Sequence, residues 1–205
     1  MRYHSQHGQD RRVILDYNRK KNGYFVDIGA YDGVELSNTY ILERDYQWTG
    51  LCVEANTLVY PSLIANRTCI CSNDCVSTKD GEEVSFMEGG ICSSAIRNEY
   101  AAKLTKYNFR RRLVAGEGRR VLKTAYRLET ILRKNEVPAV VDYLNLDIDG
   151  LEYQILKGFD FSKYRFGMIT VEMNNDREAL TELLVANGYY FDRRLRSDLV
   201  FKHAA

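Results

Sequence analysis

Short apolar runs alternate with amphipathic segments along the chain. Apolar residues dominate runs at 24–28, 51–54, 68–71, 140–146 and 167–173. Each run is too short for an ordinary helix and is rich in β-branched, aromatic or thiol side chains, which is typical of buried strands. Between the runs, segments such as 9–19 and 177–186 repeat their apolar residues at helical spacing. The alternation predicts a sheet of mostly parallel strands covered by helices.

The C-terminal segment departs from this alternation. Residues 188–193 and 198–203 are both strand-like, and a short polar turn separates them. This arrangement predicts an antiparallel hairpin. The predicted fold class is therefore α/β, with a mostly parallel seven-stranded sheet, an antiparallel C-terminal strand and helices on both faces.

Length and composition favour one domain. The chain has 205 residues, prolines only at Pro61 and Pro138, and no linker or repeat, so we treat 1–205 as a single domain. The 29 basic and 28 acidic residues give a net charge of +1, so no global basic field points to nucleic acid or membrane. Because no run is long enough for a membrane span and no signal-peptide core is present, we expect a cytoplasmic protein. The odd number of cysteines favours reduced thiols.

The first candidate site is the segment 24–39, in which a strand ends in a loop with Gly29 and Gly33. This Gly-x-x-x-Gly spacing is not the Gly-x-Gly-x-x-Gly that brings a pyrophosphate onto a helix N-terminus. Asp27 would repel a pyrophosphate, but it suits an ammonium group such as that of the methionine part of S-adenosylmethionine. An ordinary strand end and turn is the alternative interpretation. We expect the next helix to begin near Glu35.

Polar residues also follow the next two strands. Glu54 ends the strand at 51–54, where Rossmann-like folds bind ribose hydroxyls, and it is expected to emerge beside Asp27. Asn73 and Asp74 follow the strand at 68–71, where they suit an adenine edge or an ordinary turn. The sequence therefore predicts a nucleoside-type pocket at the carboxyl edge of the sheet.

A second group of carboxylates follows the strand at 140–146. Asp149 and Glu152 suit the start of a helix, where acids act as caps. Asp147 comes too early for that role. With Glu172 at the end of the next strand, Asp147 and Asp149 are candidates for a general base or for ligands of a divalent cation such as Mg²⁺ or Mn²⁺.

Residues 88–120 form the least regular stretch, which we interpret as a lid or substrate-binding insertion. The stretch at 103–123 is rich in basic residues, which would follow a phosphate backbone. One function to consider is therefore that of a nucleic-acid methyltransferase. A solvated helix face is the interpretation that we favour, since few stacking aromatics are interleaved with the basic residues. A non-enzymatic binding module that kept the fold is the second rival.

The chain resembles FkbM-type S-adenosylmethionine-dependent methyltransferases. The resemblance rests on motifs at 5–10, 25–39, 50–54 and 146–152, in that order along the chain. Asp149 stands where the family more often has Glu, which preserves the charge. The resemblance implies the class I methyltransferase fold and O-methylation, frequently of a sugar or glycan hydroxyl. The few interleaved aromatics make nucleic acid an unlikely partner, and the lack of a targeting segment is compatible with a chain cut from a longer, multidomain glycan-modifying protein.

The resemblance also implies a set of residues around the cofactor. Gln6, Gln9 and Asp10 are expected close to the pocket, and the glycine loop adds further members: Asp27, Gly29, Ala30, Tyr31, Asp32, Gly33, Ser37 and Asn38. Histidine is suited to base catalysis near neutral pH. His7, inside the first motif, and His203 are therefore second-rank candidates for the base.

Overall fold

The computed structural model describes residues 3–88, 94–96, 119–148, 150–172 and 177–204. Its main sheet has seven strands in the order β10-β11-β9-β8-β1-β2-β3. Their bounds are β1 Tyr24–Ile28, β2 Thr49–Val53, β3 Ile70–Ser72, β8 Val140–Leu146, β9 Arg165–Glu172, β10 Tyr189–Leu195 and β11 Asp198–His203.

Only β11 runs against the other strands of this sheet. It pairs antiparallel with both β10 and β9, while the β9, β8, β1, β2 and β3 ladders are all parallel. The predicted fold class is confirmed, because this is the mostly parallel sheet with an antiparallel C-terminal strand that the sequence indicates.

Helices cover both faces of the main sheet, and each face has its own apolar cluster. The described helices are α1 Gln9–Asp16, α2 Tyr40–Tyr46, α3 Tyr60–Asn66, α4 Leu128–Lys134, α5 Glu152–Lys157 and α6 Arg177–Ala186. One cluster joins Phe25 and Tyr143 to α1, α2 and α3. The other joins Val26 and Leu144 to α4, α5 and α6. Adjacent strand residues therefore point to opposite, equally covered faces.

A second, four-stranded sheet is absent from the sequence-based prediction. It consists of β4 Cys75–Val76, β5 Glu82–Glu88, β6 Ser94–Ile96 and β7 Arg119–Tyr126, in the order β4-β7-β5-β6. Two ends of the predicted insertion at 88–120 thus belong to this sheet. Apart from these ends and β6, that stretch lies outside the described residues. The favoured helix for the basic stretch is wrong for residues 119–123, which lie in β7.

Helix α2 begins at Tyr40, so the predicted start near Glu35 is wrong. Leu36 has a positive φ of 56°, which interrupts a helix. The hydroxyl of Ser37 accepts hydrogen bonds from Thr39 N at 3.3 Å and Tyr40 N at 3.0 Å. The polar residues between Gly33 and Tyr40 therefore form a capping loop at the carboxyl edge of the sheet. Within the described part of the chain, no helix is both long and apolar enough to cross a membrane.

Candidate active site

Gly29 joins the ends of three parallel strands. Its N–H donates to Val53 O at 2.9 Å, and Asp147 N donates to Ile28 O at 3.0 Å. Gly29 has a φ of +88°, and a Cβ at this position would overlap the carbonyl oxygen of Asp147. Glycine is required here because the end of β8 approaches the loop so closely. The two predicted chemical centres are therefore in direct contact.

A cleft opens at this junction. Its cavity volume is about 50 Å³, below the roughly 300–1,000 Å³ of sites that enclose a small molecule, so the described residues form an open groove. Four of the predicted site residues line it, namely Gly29, Glu54, Asp74 and Asp147. The remaining lining is mostly apolar and includes Val53, Ile148, and Phe86 from the second sheet. This composition suits an aromatic base and a ribose with a few polar anchors.

Glu54 holds the glycine loop and the loop after β2 together. Its carboxylate accepts hydrogen bonds from Tyr31 N at 2.9 Å and Asn56 N at 2.7 Å. Burial raises the pKa of Glu54, against the opposing effects of these main-chain donors and the charge of Lys123. Asn73 donates from Nδ2 to the Glu54 carbonyl oxygen at 2.6 Å. Glu54 therefore lies at the wall of the cleft, where the acidic residue that binds ribose hydroxyls is expected.

Asp27 lies within the sheet and faces the side that α1 and α2 cover. It is 2% exposed, and its carboxylate accepts from Thr39 Oγ1 at 2.6 Å and Asn145 Nδ2 at 2.9 Å. Burial raises the pKa of Asp27, while these two donors and the charge of Arg67 act in the opposite direction. The contact between Asp27 and a ligand ammonium stays a prediction. In the structure, the Asp27 carboxylate accepts its hydrogen bonds from two protein side chains.

The other predicted loop residues shape the turn. Asp32 Oδ1 accepts from Val34 N at 2.8 Å and Glu35 N at 2.7 Å. Ala30 is buried and Tyr31 half-buried. A Cβ at Gly33 would lie 2.7 Å from Arg67 Cγ, so this glycine allows the buried arginine to pack under the loop.

The carboxylate of Asp74 forms an ion pair with Lys134. It lies 2.8 Å from Lys134 Nζ and accepts from Ser72 Oγ at 2.5 Å. Because Asp74 also lines the cleft, its adenine role stays a prediction.

The three predicted N-terminal residues separate into different environments. Asp10 is fully buried and accepts from His4 N at 2.7 Å and Ser5 N at 3.2 Å. Gln9 is buried and donates from Nε2 to Asp198 Oδ2 at 2.5 Å. Gln6 is exposed. The segment therefore spans from the glycine loop to the start of β11.

The predicted catalytic carboxylates end adjacent strands. Asp147 is exposed and follows Leu146, whose partner on β9 is Val171; Glu172 comes next on β9. Asp149 lies outside the described residues. Among the residues that are described, no group of three or more His, Cys, Asp or Glu is placed to hold a metal ion. The base and metal assignments stay predictions.

Glu152 is a buried acid that the sequence-based assignment left out of the site. It is 4% exposed, and its Oε1 accepts from Ile148 N at 3.1 Å and Gly150 N at 3.0 Å. Burial raises the pKa of Glu152 to about 7, and the charge of Glu172 adds to the rise. Glu152 therefore braces the turn that follows Asp147. Its position at a helix start was the available signal, but burial is not visible in a sequence.

This raised pKa predicts an unusual pH dependence of stability. A carboxyl whose folded pKa exceeds its unfolded value binds a proton preferentially in the folded state, so stability falls as pH rises from about 4.5 to 7. Glu152→Gln keeps an oxygen for both N–H donors and should remove about 2 to 4 kcal/mol of that fall. Urea unfolding between pH 5 and 8 measures it. The exposed Glu178→Gln is the matched control. If the free energy of unfolding depended on pH in the same way in wild type and in Glu152→Gln, the raised pKa of Glu152 would be contradicted.

The two histidine candidates lie at different edges. His7 and His203 are half-buried, and Nδ1 of each has no hydrogen-bond partner in the described structure. His203 pairs with Tyr189 at the far end of the hairpin, at the opposite edge from Asp147. Of the two, only His7, in the N-terminal segment, remains a candidate near the site.

A family model described as the methyltransferase FkbM domain matches residues 27–192. No curated protein matches the chain in sequence. The match covers the glycine loop, Glu54 and the carboxylates after β8.

Solved structures resemble the chain at low identity. A protein in the NADB-Rossmann superfamily from Streptococcus agalactiae is 13% identical, covering 95% of this chain and 67% of that chain, with a TM-score of 0.49. The METTL16 MTase domain is 12% identical, covering 95% and 64%, with a TM-score of 0.46. A TehB-like SAM-dependent methyltransferase from Corynebacterium glutamicum is 8% identical, covering 97% and 89%, with a TM-score of 0.46. The chain thus spans less than two thirds of the METTL16 domain.

Proposed function

The chain belongs to the FkbM methyltransferase domain family, and from that premise we propose that it transfers a methyl group from S-adenosylmethionine to a hydroxyl of a sugar or glycan. The observation that carries the proposal is the junction of Gly29, Glu54 and Asp147 in one cleft. It brings a cofactor-type loop and a candidate base together.

The cleft residues fit S-adenosylmethionine. Glu54 offers carboxylate oxygens to ribose hydroxyls, and Phe86, Val53 and Ile148 offer an apolar surface to a base. The absence of a side chain at Gly29 allows the end of β8 to approach the glycine loop. When bound, the cofactor supplies a methyl group on a cationic sulfonium, which is electrophilic without a metal.

Asp147 is the residue that we assign to the acceptor. A hydroxyl must lose its proton as it attacks, so a positioned base assists the reaction. The Asp147 carboxylate is exposed at the cleft wall, and Glu172 follows the neighbouring strand. Carboxylates of this kind also accept hydrogen bonds from sugar hydroxyls. A divalent cation held by Asp147, Asp149 and Glu172 is the alternative activation.

Two basic residues of the 103–123 stretch are paired with a buried acid, which weighs against a nucleic-acid partner. Arg119 lies 2.7 Å and Lys123 3.4 Å from the fully buried Glu88 carboxylate. Burial raises the pKa of Glu88, but hydrogen bonds from Thr57 and Arg119 and the charge of Lys123 outweigh it and lower the pKa to about 2. The carboxylate therefore stays charged and pairs with both cations, offsetting one of their two charges. These two residues are therefore less available to phosphates.

The test is a panel of acceptors incubated with methyl-labelled S-adenosylmethionine. Nucleotide sugars, oligosaccharides and RNA are compared by mass analysis of the products. We expect an O-methylated sugar. Methylated RNA, with binding that falls steeply with salt, would replace the glycan assignment with the nucleic-acid one.

Glu54→Ala should weaken S-adenosylmethionine binding by roughly 10- to 150-fold, because it removes charge-assisted hydrogen bonds worth about 1.5 to 3 kcal/mol. Isothermal calorimetry measures the affinity, and thermal unfolding checks that the fold persists. The exposed Glu83→Ala, on β5, is the control. Equal affinities for wild type and Glu54→Ala would remove Glu54 from the cofactor pocket.

A further inference from the structure

A row of polar side chains crosses the interior of the main sheet. Asp27, Asn145 and Thr170 are register partners on β1, β8 and β9. They point to the same face, which α1 and α2 cover. Asn38 and Thr39, at the start of α2, close the row from above. These residues meet between β1 and β8, where the order of strands along the sheet reverses, and ligands of open α/β sheets bind at such a crevice.

In this row of side chains, Asp27 determines which group donates and which accepts in each hydrogen bond. An ionised Asp27 only accepts, so Asn145 must turn its NH₂ group toward it, at 2.9 Å. The Asn145 oxygen then faces Thr170 Oγ1 and Asn38 Nδ2, which both donate to it at 2.8 Å. Asn38 is thereby fixed with its NH₂ inward. Thr39 Oγ1 accepts from Arg67 at 3.1 Å, which leaves its hydrogen for Asp27.

The row ends in an acceptor that lacks a donor. Asn38 is 7% exposed, and its Oδ1 is buried with no hydrogen-bond partner among the described residues. A buried oxygen without a donor is unfavourable, so a site that leaves one is suited to a ligand that supplies the donor.

The surrounding charge indicates which donor fits. Arg67 is the cation of this cluster, and it is paired with Glu43 at 2.6 Å. The Asp27 charge is therefore in excess among these three groups. An amide oxygen backed by an excess buried anion is better suited to a cationic N–H than to a neutral hydroxyl.

We propose that Asn38 Oδ1 accepts a hydrogen bond from the ammonium group of the methionine part of S-adenosylmethionine, and that Asp27 is a positioning residue that acts through Asn145. The inference rests on the proposed function. It changes the expected role of Asp27: the acid sets the polarity of the amide that binds the ammonium, and it does not itself contact the ligand.

Calorimetry with two ligands tests this assignment. S-adenosylmethionine carries the ammonium and a sulfonium, whereas 5′-methylthioadenosine keeps the adenine and ribose, has a neutral thioether and lacks the amino acid. Asn38→Leu should weaken S-adenosylmethionine binding by about tenfold or more and leave 5′-methylthioadenosine binding unchanged. Asp27→Asn should do the same, because Asn145 and Asn38 are then free to reverse. A merely structural role would affect both ligands.

The outcomes separate the two levels of the proposal. If wild type binds neither ligand, the proposed function fails. If wild type binds both and Asn38→Leu loses equal affinity for the two, or for neither, the function stands and the Asn38 assignment is overturned. Asn38→Ala replaces Asn38→Leu if the larger side chain prevents folding. A selective loss in Asp27→Asn with none in the Asn38 variant would return the ammonium to Asp27.

Discussion

Replacement of Asp147 by Asn is expected to lower the turnover number by roughly 10²- to 10⁴-fold, with little change in the affinity for S-adenosylmethionine. Asparagine keeps the size of the side chain but cannot take the acceptor proton. Single-turnover rates with the identified acceptor measure the first quantity and calorimetry the second. The control is Asp45→Asn, an exposed acid of α2, which should retain full activity.

A chelator distinguishes the two roles of Asp147. If Asp147 is a base, EDTA should leave the wild-type rate unchanged. If it binds a cation, activity should vanish with EDTA and return with Mg²⁺ or Mn²⁺. Full activity of Asp147→Asn under both conditions would move the base to Asp149, Glu172 or His7.

Gly29→Ala should lower the free energy of unfolding by about 2 to 5 kcal/mol, because the new methyl group is both overpacked and held at a positive φ. The Cβ would overlap the Asp147 carbonyl oxygen, so β1 and β8 must separate at their ends. We therefore expect a loss of cofactor affinity as well. Urea unfolding and calorimetry measure the two effects.

Gly81→Ala provides the matched control. Gly81 also has a positive φ, +73°, but a Cβ there would meet nothing within 4 Å. It should lose only the roughly 1 to 2 kcal/mol of the left-handed conformation. If the two alanine variants were equally stable, the close approach of β8 to the glycine loop would not exist in solution.

The sequence carried enough information for the main sheet because its strands are continuous apolar runs bounded by turns. Strand β7 has no such run. The face that carries Ala125 also carries Arg119, which lies opposite Glu88, and Lys123, whose Nζ lies 3.4 Å from the same carboxylate. That ion pairing is a tertiary property, so the basic residues alone suggested a solvated surface. Strand β4, with two residues, is too short to show a pattern.

The candidate site was predictable to the level of strand ends, and less so in the roles of individual acids. Asp27 and Glu54 look alike in the sequence, since each follows apolar residues and precedes a loop. Asp27 faces the α1 and α2 side, where it meets Thr39 and the sequence-distant Asn145. Glu54 instead reaches the cleft. Which acid is enclosed depends on residues brought together only by folding.

The most direct test of the account is calorimetric titration of the wild-type protein with S-adenosylmethionine, repeated in the presence of S-adenosylhomocysteine. The account predicts saturable binding at a single site that the product S-adenosylhomocysteine abolishes by competition, and that Glu54→Ala weakens. Absence of binding in a correctly folded wild-type protein would contradict it, and the chain would then be a binding module that kept the methyltransferase fold.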